Sequence, residues 1–134
     1  MFDCAPDEYC LHEMIVHVAS YHTDRGPQYN EDNLGLGLRI KASDRKIFLA
    51  AGEFRNSLRK DSVYAGAGMG MLDTGLLTFR FMVGGITGYK RPVLPFGFPE
   101  LVLSYKGIGL MVGYEPKVDK EIPQFFTFSL VKRF

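Results

Sequence analysis

The sequence predicts an all-β fold, a single antiparallel up-and-down barrel of about eight short strands. Three observations carry it: short runs that alternate between large apolar and small or polar residues, turn residues between those runs, and 7 Tyr and 11 Phe with no Trp, a composition that favours strands. At 134 residues the chain is one domain's length and long enough to bury a core without metals. No stretch approaches the roughly 18 apolar residues of a membrane-spanning helix.

The elements follow in order. Residues 1–13 are expected to be an irregular lead-in and 14–134 the barrel domain. Met14–Tyr21 is the first run. A polar segment, His22–Asn33, holds a Gly26-Pro27 turn and the cluster Tyr29-Asn30-Glu31-Asp32-Asn33. Leu34–Ile40 and Ile47–Phe54 are joined through Ala42-Ser43-Asp44. After the polar Arg55–Lys60 comes Val63–Met71. The turn Asp73-Thr74-Gly75 leads into one long strand, Leu76–Tyr89. The segment Arg91–Pro99 contains three prolines and is expected to stay out of any central strand. Leu101–Tyr105 and Ile108–Tyr114 form a hairpin about Lys106-Gly107, and Phe125–Phe134 closes the chain.

Strand alternation separates two faces. One reads Leu34, Leu36, Leu38, Ile40, and then Leu77, Phe79, Phe81, Val83; the other reads Gly35, Gly37, Arg39, and then Thr78, Arg80, Met82, Gly84. Two arrangements satisfy this pattern. The large face can form the core of a soluble barrel, or it can face lipid while Gly, Thr and Arg fill a narrow interior. Phe134, ending an aromatic-rich strand, suits the second; several runs fall short of the roughly 9–11 residues of a membrane strand, and the opening segment lacks a signal pattern, so the soluble arrangement is the expectation.

Net charge is +1, with both signs scattered, which excludes an electrostatic nucleic-acid binder. The opening MFDCAPDEYCLHEM has no basic and apolar signal pattern and carries four carboxylates in its first thirteen residues. That predicts a chain of the host cytoplasm or a virion, with the bacterial outer membrane as the alternative for a mature fragment. Cys4 and Cys10 are expected as free thiols, with closure of a small loop as the alternative.

His12, His17 and His22 are spaced by five, which puts neighbours on opposite faces of a strand and argues against a shared metal site. No metal and no cofactor is expected. The Tyr29–Asn33 cluster reads as turn chemistry, and Gly66-Ala67-Gly68-Met69-Gly70 as a glycine-lined inner or packing face, since it lacks a phosphate-loop pattern. Ser57 is a nucleophile only if a histidine reaches it.

The order Tyr29-Asn30-Glu31, Gly35-Leu36-Gly37-Leu38, Phe54-Arg55-Asn56-Ser57 and Tyr64-Ala65-Gly66-Ala67-Gly68 resembles the bacterial outer-membrane lipid A palmitoyltransferases. So does the later order Gly84-Gly85-Ile86-Thr87-Gly88-Tyr89, Pro92-Val93-Leu94-Pro95 and Tyr114-Glu115-Pro116. The likeness runs from about residue 15 to the C-terminus, and similar blocks occur in small proteins of bacteria and tailed phages. The resemblance implies an eight-stranded barrel with an interior acyl-chain pocket. It also implies catalysis by a first-strand histidine, carried here by His17 or by His22, and by an Asp-Ser pair whose places are taken by Asn56 and Ser57. An amide at position 56 cannot supply a carboxylate's charge. The expectation is therefore a non-catalytic barrel module of phage type, virion-associated or accessory, acting with protein partners or with itself. The alternatives are an acyltransferase moving palmitate from phospholipid to lipid A, and a lipid or small-ligand binder.

Overall fold

A computed structural model of the chain describes residues 9–22, 32–42, 46–56, 60–88, 92–115 and 125–134. Eight strands form a closed barrel in which each pairs antiparallel with its sequence neighbours and the last returns to the first. They are β1 (Tyr9–His22), β2 (Asp32–Ala42), β3 (Ile47–Arg55), β4 (Asp61–Asp73), β5 (Leu77–Ile86), β6 (Leu94–Tyr105), β7 (Ile108–Glu115) and β8 (Phe125–Arg133). Up-and-down order puts both ends of the barrel chain and the short turns at one end, called here the turn end. The longer connections lie at the other, the loop end.

Three expectations on boundaries are corrected. β1 begins at Tyr9, so residues 9–13 of the predicted lead-in belong to the barrel. The long fifth strand stops at Ile86. β6 starts at Leu94 and includes Pro95 and Pro99. Its pairing with β7 begins only at Glu100, while β5 holds it from Leu94 onward. The two prolines thus occupy a stretch with one ladder, where a missing N–H costs no bond.

The turns follow local chemistry. Lys106 and Gly107 have φ of 52° and 80°, the pair of positive values of a tight hairpin whose twist matches the strands. In the β4–β5 turn the Asp73 carboxylate accepts from the Gly75 N–H at 2.9 Å, and the Thr74 N–H donates to the Leu77 carbonyl at 2.9 Å. The Ala42-Ser43-Asp44 turn lies mostly outside the described residues.

The two faces are as distinct as the alternation implied, but their roles are the reverse of the soluble arrangement. The large apolar face points outward all round the barrel: Leu36 and Leu103 are each 56 % exposed and Leu130 is 51 % exposed. The small and polar face points inward, where Arg39 and Glu100 are each 1 % exposed. Two inner apolar clusters remain, one around Phe48, Tyr64, Met82 and Leu94 and one of Ile15, Val102, Met111 and Val131.

β1 also breaks strict alternation. A register shift between His17 and Ala19 appears against both β2 and β8. His17 turns inward, yet Tyr21, four residues on, is exposed. The extra residue of a bulge reverses the phase, so period-two counting along β1 does not carry across Ala19. The backbone of His22 lies opposite Phe125. Cys10 is disulfide-bonded rather than a free thiol; Cys4 lies outside the described residues.

Candidate functional site

The barrel interior divides into two zones. From mid-barrel to the turn end, charged side chains from five strands interlock. Arg39 of β2 grips Glu100 of β6 with both terminal nitrogens, the Nη2–Oε2 distance being 2.8 Å. Arg80 of β5 reaches Glu100 through Nε at 2.8 Å and Glu13 of β1 through Nη1 at 2.8 Å. Arg133 of β8 continues from Glu13 at 2.9 Å to Thr78 at 2.9 Å and Ser104 at 3.1 Å. Arg39 and Arg80 also flank the Phe48 ring at 5.1 and 5.2 Å. Buried charges persist only when paired and hydrogen-bonded. Here that requirement is met by carboxylates and guanidiniums alternating along the lumen, which they fill.

Above this plug, toward the loop end, lies a cavity. It offers about 80 Å³ to the centre of a water-sized molecule. Arg39, Glu100 and Met111 line its base. His17, Tyr64 and Ser129 line its middle, and Phe54, Phe96, Phe98 and Phe125 form much of its wall.

His17 occupies the centre. Its Nε2 is 2.8 Å from the Tyr64 hydroxyl and its Nδ1 is 3.1 Å from the Ser129 hydroxyl. Each hydroxyl can donate or accept, so a neutral imidazole is satisfied in either tautomer. The Phe54 and Tyr64 rings pack against it at 5.6 and 5.5 Å between centroids. Tyr64 reaches the histidine because β2 and β3 offer no side chains beneath it. A Cβ on Gly37 would fall 2.4 Å from the Tyr64 oxygen, and one on Gly52 would fall 2.5 Å from it. Glycine at positions 37 and 52 is therefore what admits this ring.

His17 and Ser129 stand as a base and a hydroxyl nucleophile would. The group that orients the histidine is a phenol, however, where a triad has a carboxylate to stabilise the imidazolium. The arrangement is better suited to hydrogen-bonding a ligand than to removing a proton from serine.

Of the residues expected from the resemblance, His17 lines the cavity and Asn56 takes part in a hydrogen-bonded clamp at the end of β3. Asn56 is fully buried just past β3. Its amide nitrogen donates to the Ser62 hydroxyl and the Gly88 carbonyl, both at 2.9 Å, and its oxygen accepts from the Lys60 N–H at 3.0 Å. Ser62 in turn donates to the Thr87 carbonyl at 2.6 Å. This clamp ties the β3–β4 connection to the end of β5. It needs an amide, because an ionised carboxylate cannot donate to Gly88. Ser57 lies outside the described residues, as do residues 29–31 of the Tyr29–Asn33 cluster. Asn33 lies inside β2 and donates to the Arg55 carbonyl at 2.7 Å, a bond across strands and not the local turn bond expected of the cluster.

Tyr64, Ser129, Glu13 and Glu100 were not singled out in the sequence. One signal was present: an arginine on each of two otherwise small faces, Arg39 and Arg80, requires carboxylates inside. Nothing local says which strands supply them.

No protein-family profile matches the chain, and no curated protein sequence matches it. Among solved structures it is similar to the solution NMR structure of the de novo designed TMB2.3. That comparison has a TM-score of 0.66 and 19% identity, and covers 92% of this chain and 95% of the other. It is also similar to a structure titled "De novo design of transmembrane beta-barrels", with a TM-score of 0.68 and 15% identity over 99% of this chain and 100% of the other. At these identities the likeness shows the fold.

Proposed function

We propose that this chain is a membrane-spanning barrel that holds a lipid or acyl-bearing ligand in a cavity closed at the turn end, rather than a channel or a soluble module. The observation that carries the reading is the inverted distribution of polarity. An apolar belt contributed by every strand surrounds an interior of paired charges. In water such a belt is an aggregation liability far beyond ordinary surface patches. In a bilayer it is the stable arrangement, and closure of the barrel satisfies the backbone. A protein partner covers one side of a molecule, whereas this belt has no gap for a solvated side. The plug opposes conduction, and the aromatic wall above it suits an acyl chain. A disulfide at Cys10 agrees with an oxidising compartment. The designed transmembrane barrels of like fold are consistent with the reading.

The test is refolding of the purified chain with and without phosphatidylcholine vesicles, followed by native mass spectrometry of the folded protein. Folding only with lipid or detergent, with lipid carried along, is the expected result. A folded, monodisperse species in plain buffer overturns the reading. If that species is a defined oligomer, the accessory structural module becomes the better account.

The His17–Ser129 pair supports a second reading, acyl transfer to lipid A. Mass analysis of lipid A from cells exporting the protein tests it; lipid A without added palmitate counts against it.

A further inference from the structure

Resting on the reading of the cavity as a lipid site, we infer that its ligand is a single chain with a primary ammonium head, bound with the ammonium against Glu115 near the loop end. The chain runs from there along the aromatic wall.

The first ground is a carboxyl group without a counter-charge. Among the described residues the buried charged side chains are Arg39 and Arg80 against Glu13, Glu100 and Glu115. Glu100 is held by both arginines, and Glu13 by Arg80 and the partly buried Arg133. Glu115 is 5 % exposed and lines the cavity, yet among the described residues no cation pairs with it and its Oε1 accepts no hydrogen bond. A buried carboxylate is costly unless it is paired and hydrogen-bonded. An ammonium supplies both, being a cation with three N–H donors and no acceptor.

The second ground is a neighbouring acceptor. Ser20 is 8 % exposed, lines the same cavity, and its Oγ makes no hydrogen bond. It pairs with Thr127 on one side of β8, and Glu115 pairs with Phe125 on the other. The two polar groups thus flank β8 at the loop end, two residues apart in register. A water at this place answers the serine hydroxyl but brings no charge to Glu115.

The third ground is the wall. Phe125 stands beside Glu115, and a Cβ on Gly113, two residues before Glu115, would fall 3.4 Å from the Phe98 ring. Phe98 stacks on Phe96 at 5.4 Å between centroids, and Phe96 meets Tyr64 edge-on at 6.3 Å. Aromatic faces attract a cation and pack against methylenes, so these rings lead a chain from the carboxyl group toward Tyr64. An anionic head would instead meet Glu115 as a like charge. Size limits the length. A water needs about 10–15 Å³ of such space, so the cavity of about 80 Å³ encloses roughly six water- or methylene-sized groups.

The experiment uses the full chain folded in phosphatidylcholine nanodiscs, with empty nanodiscs as the blank. Hexylammonium, hexanamide and hexanoate are titrated at neutral pH, and bound hexylammonium is located by intermolecular nuclear Overhauser effects. Hexylammonium should bind about tenfold more tightly than neutral hexanamide, with hexanoate weakest. The methylene next to its nitrogen should contact the Phe125 ring and its terminal methyl the Tyr64 ring. Glu115→Gln removes a charge that no described residue pairs with. It should unfold at a midpoint no lower than the parent's and lose the preference for the ammonium. A merely structural Glu115 would lower the midpoint and leave the selectivity in place. If Glu115→Gln does not fold, the selectivity and contacts of the parent decide by themselves. Equal affinity for ammonium and amide, a preference for hexanoate, the reverse contact pattern, or an ammonium preference that survives Glu115→Gln overturns the assignment while leaving a lipid site. If none of the three binds but phospholipid co-purifies, the ammonium assignment fails and the broader reading survives. If nothing binds and no lipid co-purifies, the lipid reading fails with it.

Discussion

At the scale of single residues, Asn56 and Glu100 show how position changes the meaning of a side chain. The resemblance makes Asn56 a disabled catalytic aspartate. The structure makes it a clamp that donates twice and accepts from Lys60. Restoring the carboxylate should therefore harm the protein and add no activity. Asn56→Asp loses the donor to Gly88 and buries a charge, and should cost about 1–3 kcal/mol, measured as a shift in the guanidinium unfolding midpoint in lipid. A gain of acyl transfer in that variant would restore the catalytic reading. Glu100 holds both Arg39 and Arg80. Glu100→Gln leaves Arg39 without a carboxylate and Arg80 with Glu13 alone, and breaking a buried pair in this way costs about 3–5 kcal/mol. A midpoint unchanged from the parent would mean that the plug contributes little to stability.

At the scale of elements, turns and bulges set which face each residue joins. The β6–β7 hairpin depends on Lys106 and Gly107 in the left-handed region. For residues other than glycine that conformation costs roughly 1–2 kcal/mol. Gly107→Ala should destabilise the barrel by about that amount, and chemical denaturation against the parent measures it. No change would mean that the turn relaxes into another type at no cost. The bulge after His17 acts in the opposite sense, re-aiming a strand instead of reversing it. Period-two reasoning holds for β2 and β5, where alternation is unbroken, and fails in β1, where one extra residue shifts the count. The prolines of β6 fail the same kind of reasoning, because the rule against them concerns strands paired on both sides.

At the scale of the molecule, the deciding quantity is which way the large face points. Phe81 stands 44 % exposed on the outer face of β5, near the middle of the strand. If the belt meets lipid, Phe81→Lys puts a charge into hydrocarbon and should cost about 2–4 kcal/mol near the bilayer midplane. Folding yield into vesicles, read as the shift of the folded band on unheated gels, checks this. A variant that folds as well as the parent and gains solubility in plain buffer would show that the belt faces water or a protein partner.

How much of this was legible varies with the range of the interactions. The barrel class, most strand positions and the β4–β5 and β6–β7 turns follow from alternation and turn residues, which are local. The resemblance pointed to His17, and the structure does place it in the cavity wall. Its partners Tyr64 and Ser129 lie 47 and 112 residues away along the chain, beyond any local pattern. Glu13 was assigned to a lead-in and Glu100 to the edge of a proline-rich segment. Only closure of the barrel brings them to the arginines.

The sequence by itself determined that strands such as β2 and β5 carry one large apolar face and one richer in small or polar residues, since side chains alternate between faces along a strand. It could not determine which face is inside. Both orientations bury one face and satisfy the same ladders, so alternation is blind to the choice. The tertiary structure decided it through volume. Eight strands closed in this register leave a narrow lumen. Gly37 and Gly52 have room there only for the Tyr64 ring, and Gly68 only for the Phe48 ring, so the leucines and phenylalanines of the opposite face stand outside.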